Sequence, residues 1–367
     1  MHDRKFISLF SGCGGLDLGF IQAGYKPIAT IEIDDFARCS HESMLEHYGM
    51  SQCLTFKDVD EVDPKILRST LRLNKKDLDV LCGGPPCQSF SMIGKRQSVM
   101  EPRGLLLYKM VEFAREFMPK IVLIEQVKGL LSAKGADGKK GGAYSFLLDG
   151  LSDCGYKVTS KVLRAADYGV AQFRDRLFVV GVRDNGQFEF PQKTHFPQDK
   201  IKELAFSNGF KEYLTIKDVM SGLPKPTLKG EPENFPNHID ITPEGDRKRI
   251  HGVPSGDYLA RQLHLPNAQR GKLHPKKDTT KFRRLDWGKP ALTIRGGECF
   301  YHPDEDRYLT PRECLRIHGY PDEFVLHGPV RGRSGQYKGL DQHRQVANSV
   351  PPPLAKALAE KILNYLD

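Results

Sequence analysis

No run of apolar residues in this chain approaches the roughly eighteen that a membrane-spanning helix requires. The opening Met1-His2-Asp3-Arg4-Lys5 has no signal-peptide apolar stretch behind it. No membrane-spanning helix is therefore expected, and a cytoplasmic location is the expectation. No two cysteines are spaced as Cys-x-x-Cys; the eight stand at 13, 39, 53, 82, 87, 154, 299 and 314. That scatter argues against a zinc site or any other metal centre. A disulfide scaffold is equally out of place in 367 residues, so reduced thiols are expected. No internal repeat is visible. Global disorder is excluded as well, because 39% apolar residues are ample for a core.

What is present begins with alternation. Apolar strands are expected at Phe6–Phe10, Ile28–Ile31, Val80–Cys82, Ile121–Ile124, Val158–Leu163 and Leu177–Val182, with amphipathic helices near 16–24, 35–48, 105–117 and 143–153. This order predicts an α/β fold with a mostly parallel sheet covered on both faces and ligands at the carboxyl ends of its strands. From about Gly186 prolines recur and periodicity fades, which marks a separate loop-rich segment at 186–289. The tail reads as an amphipathic helix led by Pro351, Pro352 and Pro353.

Charge is unevenly placed. Thirteen Lys or Arg stand against three acids between Arg247 and Arg295, a local excess of ten in a chain whose net charge is +9. Such a one-sided split fits a surface facing a polyanion, and a solvated mixed surface is its plain alternative.

Four constellations carry chemistry. Gly83 to Ser91 reads G-G-P-P-C-Q-S-F-S after a strand, which presents the Cys87 thiol rigidly, as nucleophilic catalysis requires. A structural turn with an inert thiol would read the same way in isolation. Phe10 to Phe20 places Gly12, Gly14 and Gly15 between a strand and a helix N-terminus, where a backbone can approach a nucleotide-like ligand. Glu32 follows about twenty residues later, at the position that binds ribose hydroxyls in dinucleotide folds. The turn lacks the full G-x-G-x-x-G spacing, which favours a ribose-bearing cofactor other than NAD. Asp58 fits either a ligand contact or an exposed turn. Glu125 ends another strand and is placed for proton donation. Arg174 and Arg176 share one face of an extended segment after Gln172, which suits a clamp on phosphate or carbonyl, or a salt-bridged strand end.

Taken in order, these residues resemble the DNA cytosine C5-methyltransferase family, bacterial and of the restriction-modification type. The resemblance rests on Phe10–Gly15, Glu32, Gly84-Pro85-Pro86-Cys87-Gln88-Ser89-Phe90-Ser91, Glu125-Gln126-Val127, Gln172-x-Arg174-x-Arg176, Leu309-Thr310-Pro311-Arg312-Glu313 with Gly319-Tyr320-Pro321, and Gln345, Asn348, Val350, Pro351 and Pro352. It implies a Rossmann-like S-adenosylmethionine-dependent methyltransferase fold. Residues 1–185 and 290–367 would form the catalytic domain, and 186–289 a smaller target-recognition domain. It implies Cys87 as the nucleophile on C6 of a flipped-out cytosine, Glu125 at N3, Arg176 at the ring carbonyl, and Arg174, Gln172, Gln88 and Ser91 toward substrate.

The resemblance also implies S-adenosyl-L-methionine contacts from Phe10, Gly12, Gly14, Gly15, Leu16, Glu32, Ile33, Asp58, Val59, Pro86, Leu106, Asn348 and Ser349. S-adenosyl-L-homocysteine would be the product. Lys276, Lys277, Arg283 and Arg284 are expected on double-stranded DNA. The basic stretch from Ser91 to Arg103 is expected to close over the base. A cognate restriction endonuclease acting on the same site without direct contact, and a monomeric state, complete the reading. A tRNA cytosine methyltransferase and a non-catalytic DNA-binding regulator on this scaffold stand as alternatives. Three positions depart from the family pattern: Gln126 for Asn, Ala171 for Pro and Ala347 for Gly.

Overall fold

Apolar runs and amphipathic stretches alternate along the first half of the chain, and they fold as β1 (Lys5–Leu9), α1 (Gly15–Gln22), β2 (Lys26–Ile31), α2 (Asp35–His47), β3 (Leu54–Phe56), α3 (Pro64–Thr70), β4 (Val80–Gly83), α4 (Leu106–Phe117), β5 (Ile121–Val127), α5 (Gly142–Asp153), β6 (Tyr156–Arg164), β7 (Gln172–Phe173) and β8 (Asp175–Arg183). The structure, a computed structural model, describes residues 3–86, 106–134, 138–184, 186–203, 209–331 and 339–366. Cys87, Gln88, Ser91 and the stretch to Arg103 lie outside the described residues.

Seven strands form one sheet in the order β3-β2-β1-β4-β5-β8-β6. β1 to β5 run parallel. β8 runs antiparallel to both β5 and β6, so the parallel part ends at β5. The strand order reverses at β1, which has β2 on one side and β4 on the other; such a switch point opens a crevice at the carboxyl ends. β3 and α3 were not anticipated. β3 is only three residues long and largely exposed, so it carries almost no apolar signal. α3 does carry a start signal, Asp63 capping the N–H groups of Lys65 and Ile66 with Pro64 in the first turn.

Two compact units emerge: 1–164 with 175–192 and 354–367, and 165–174 with 193–353. These borders differ from the 186–289 segment expected from texture. The second unit takes in 290–353 because short backbone pairings bind that stretch to 165–174. Ala291 N–H donates to the Ala171 carbonyl at 2.8 Å, Thr293 donates to the Phe173 carbonyl at 2.7 Å, and Ala291–Leu292 pairs with β7.

The first unit is built on an apolar core between the sheet and its helices, including Ile7, Leu9, Leu81, Met110, Phe113, Val122 and Ile124. The tail helix, Pro352–Leu363, belongs here from Leu354 onward. Tyr25 donates to the Ala359 carbonyl at 3.0 Å. Gly19 of α1 lies so close to it that a Cβ would fall 2.4 Å from the Ala355 Cβ and 2.6 Å from the Lys356 nitrogen.

The second unit has a small apolar centre of Ile250, Val253, Leu259, Tyr301 and Tyr308, and buried arginines do much of its joining. Arg307 forms a two-pronged pair with Glu313 at 2.9 and 2.8 Å, and Glu313 closes the capping box of helix Pro311–His318 with Thr310.

Gly19→Ala is expected to destabilise the first unit by about 1–3 kcal/mol, because backbone and side chain of the tail helix must both give way. Denaturant unfolding of the two proteins checks it; an unchanged midpoint would mean that the tail helix shifts freely.

Candidate active site

β4 pairs with β1 on one side and β5 on the other, with Gly83 level with Leu9 and with Ile124. Three connections therefore leave the sheet at one edge: the turn from Phe10, the turn from Gly84, and the end of β5. Gly83 is required by this closeness, since a Cβ would lie 2.4 Å from the Leu9 carbonyl oxygen. At Gly84 a Cβ would come 3.2 Å from Glu125 Oε2, so the carboxylate lies directly over the Gly-Pro-Pro turn. Across the antiparallel pair, Arg176 stands opposite Val127, one diagonal step from Glu125. Its Nε is 2.9 Å from Glu125 Oε1, and both side chains are largely buried. Gln126 Nε2 donates to the Pro85 carbonyl, which anchors the Gly84–Pro86 turn.

The glycine turn after β1 holds three left-handed residues, Phe10 (φ 57°), Gly12 (φ 57°) and Gly14 (φ 89°). Glu32 accepts from Gly12 N–H and Asp34 N–H, both at 2.8 Å. Burial pushes its carboxyl above the ordinary value, against the lowering pull of those two N–H groups. Ile33 beside it is 63% exposed, a large apolar side chain presented at the strand ends. The space over Gly12 is open: a Cβ there would meet nothing within 4 Å. Gly15 and Leu16 start α1 and are buried; Val59 is packed in the core. Asp58 is half-buried and accepts from Asp60 N–H at 2.9 Å, while Pro86 is exposed and Leu106 half-buried.

Several expected contacts fall elsewhere. Arg174 and Arg176 have separate partners, Arg174 within the second unit and Arg176 beside Glu125 in the first. Arg174 is buried in the second unit and donates to the carbonyls of Ala347 and Ser349 at 2.8 and 2.9 Å. It braces the end of helix Gln342–Asn348 and does not reach toward phosphate. Gln172 is fully buried; its amide meets His318 Nδ1 at 3.0 Å and accepts from Ile294 N–H at 3.1 Å. It too is internal.

Arg284 leaves the DNA-facing set on the same ground. It is 5% exposed and donates to the carbonyls of Val253, His302, Glu305 and Ile250 and to the Asp306 carboxylate. Arg283 is half-buried against the Tyr258 ring, whereas Lys276 and Lys277 are exposed. Asn348 is exposed and Ser349 buried, both in the second unit.

A family model for C-5 cytosine-specific DNA methylases matches residues 4–364. The chain belongs to that family. It is accordingly a DNA cytosine-5-methyltransferase, an enzyme that takes a methyl group from a donor. It is 32% identical to the Type II methyltransferase M.NgoFVII of Neisseria gonorrhoeae, over 98% of this chain and 86% of that protein. With the Type II methyltransferase M1.HphI of Haemophilus parahaemolyticus it shares 31% identity over the same shares. Among solved structures, a prophage-encoded E. coli protein, a candidate DNA modification methyltransferase by its description, matches with a TM-score of 0.69 at 22% identity over 99% of both chains. S. pombe Dnmt2 methyltransferase matches with a TM-score of 0.57 at 17% identity, again over 99% of both. These two likenesses speak for the fold. Among the described residues no helix is long and apolar enough to cross a membrane.

In this methyltransferase neither Pro85 as the acceptor for the Gln126 amide nor the close approach of Gly84 to Glu125 was foreseen. The departure from Asn at 126 was the one signal for the first.

Arg284→Ala should destabilise the second unit by about 3 kcal/mol or more, because it strands a carboxylate and several carbonyls. Lys276→Ala and Lys277→Ala should each stay within about 0.5 kcal/mol. Trp287, the single tryptophan, lies in this unit and reports its unfolding by fluorescence. Equal effects at the three positions would contradict the internal role of Arg284.

Proposed function

We propose that the chain transfers a methyl group from S-adenosyl-L-methionine to C5 of a cytosine within a short duplex DNA site, by way of a covalent bond from Cys87 to C6. The observation that carries this reading is the meeting of the glycine turn, the Gly84–Pro86 turn and the Glu125–Arg176 pair at one edge of the sheet. The residues present fit a ribose-bearing donor: open space over Gly12, the Glu32 carboxylate, and exposed Ile33 for an apolar ring face. When bound, the donor supplies an electrophilic methyl on a sulfonium sulfur.

Cytosine C5 is a poor nucleophile. Addition of the Cys87 thiolate to C6 pushes electron density onto C5, provided that N3 is protonated or hydrogen-bonded. Glu125 is the group for N3, and Arg176, held beside it, is the group for the ring carbonyl. Once C5 is methylated it loses its proton, the C5–C6 double bond re-forms, and Cys87 leaves as thiolate. Both ring faces take part, so the base must leave the stack, at a cost of a few kcal/mol offset by pocket contacts. Lys276 and Lys277 supply phosphate contacts, which carry affinity without sequence information. The relatives' description as Type II methyltransferases supports protection of host DNA alongside an endonuclease that reads the same site. A cytoplasmic monomer fits that task.

Bisulfite sequencing of plasmid DNA from cells expressing the chain tests the reading. Modified cytosines in one short sequence are expected, and unmodified DNA from an active preparation would overturn it. Cys87→Ser should abolish methyl transfer and keep DNA binding, since the thiolate acts in bond formation. Duplex containing 5-fluorocytosine should trap a denaturant-stable adduct, because fluorine cannot leave as the proton does. Gln126→Leu removes the donor to Pro85 and should lower kcat by about tenfold, in line with about 1–3 kcal/mol for a stranded carbonyl. Gln126→Asn should keep most activity. Single-turnover rates separate the two, and a fully active Gln126→Leu would dismiss the anchor.

A further inference from the structure

Beneath the glycine turn of the first unit lies a buried polar cluster that the methyl-transfer chemistry leaves unused. His41 on α2 is 1% exposed, Asp17 on α1 and Ser8 on β1 are fully buried, and Ser11 of the turn is 9% exposed. Ser8 Oγ donates to Asp17 Oδ1 at 2.7 Å. Asp17 Oδ2 lies 3.0 Å from His41 Nε2, although the two are not aligned as a directed hydrogen bond. Two lone pairs would repel at that distance, so Nε2 carries the hydrogen. The other ring nitrogen, Nδ1, lies 3.1 Å from the Ser11 hydroxyl, and the two are hydrogen-bonded. The neighbouring Cys53 thiol is pushed up to about 12 by burial and then by the Asp17 charge, so it stays protonated.

Ser11 is thereby held at all of its polar groups. Its N–H donates to the Ile31 carbonyl at the end of β2, its carbonyl accepts from Gly14 N–H at 3.0 Å, and its hydroxyl is committed to His41. The imidazole also packs on the turn itself: a Cβ at Gly14 would meet His41 Cδ2 at 2.6 Å and Met44 Cε at 2.8 Å. His41 and Met44 share one face of α2 at i and i+3. The turn needs such support, because Phe10 is held in a left-handed conformation that costs a non-glycine residue about 1–2 kcal/mol and persists only when its surroundings fix it. Glu32, Ile33 and Asp34 lead directly into α2, and Asp34 caps it. One buried histidine therefore joins the two segments proposed to hold the methyl donor.

We infer that His41 is a positioning residue for the methyl donor, which holds the Phe10–Gly14 turn in its binding shape through Ser11 and ties that turn to the Glu32–Asp34 segment. The inference rests on the donor site proposed above.

The test is calorimetric titration of S-adenosyl-L-homocysteine into the full chain and its Ser11→Ala, His41→Ala, His41→Asn and doubly substituted Ser11→Ala/His41→Ala forms, with donor KM and kcat alongside. Ser11→Ala removes one hydroxyl and serves if His41→Ala does not fold. Each alanine variant should bind about tenfold more weakly, and KM should rise with it while kcat falls by less than about threefold. His41→Asn places an amide near the Nδ1 position and should recover most of the affinity. The double variant should be no weaker than the weaker single, because both changes break one link. Wild-type affinity in Ser11→Ala, or additive losses in the double variant, would overturn the inference. A His41→Ala protein that melts earlier yet binds the donor as wild type would overturn it too. Absence of binding by the wild type would overturn the donor site itself, and this inference with it.

Discussion

The functional edge of the first unit depends on β4 lying between β1 and β5. Parallel pairing in register brings the three carboxyl ends level, so that segments far apart in sequence leave the sheet side by side. The demand on the chain is steric. Gly83 has no room for a side chain against Leu9, and Gly84 leaves a carboxylate oxygen of Glu125 directly above the turn. The proposed chemistry, which presents a thiol, an acid and a donor to one small ring, rests on that convergence.

The second unit solves a different problem. It has few long elements and a modest apolar centre, so polar side chains do much of the joining. Arginine suits this work because its planar fork can meet several carbonyl oxygens at once. Arg312 is fully buried, donating to the carbonyls of Pro236 and Phe324, and Arg284 and Arg174 follow the same logic. Part of the basic excess between Arg247 and Arg295 is therefore internal scaffolding. The free remainder, Lys276 and Lys277 among it, is what can meet a polyanion.

The substitution at 126 gains its meaning from the same geometry. Gln126 is buried at the end of β5, next to Glu125, and its amide reaches the Pro85 carbonyl across to the neighbouring strand end. The longer side chain spans a gap between β4 and β5 that the sheet register sets. The Gly84–Pro86 turn is thus tied to the strand bearing Glu125.

Much of this was legible in the chain itself. Strand–helix alternation marked six of the seven sheet strands, and the ordered motifs around Gly12, Cys87, Glu125 and Gln345 pointed to the family, because each needs particular residue types at fixed spacing. β3 was not legible, being short and exposed. Nor could the chain say that β8 would turn antiparallel, or that 290–353 would join 165–174, since those outcomes depend on pairings between distant segments. Arg174 and Arg176 show the limit most plainly. Two residues apart and alike in chemistry, they go to different units, one buried on carbonyls and the other beside Glu125. Sequence determined that cationic forks would stand there. Only the tertiary structure decided which acceptors each would meet, because burial and partnership are properties of what folds around a side chain.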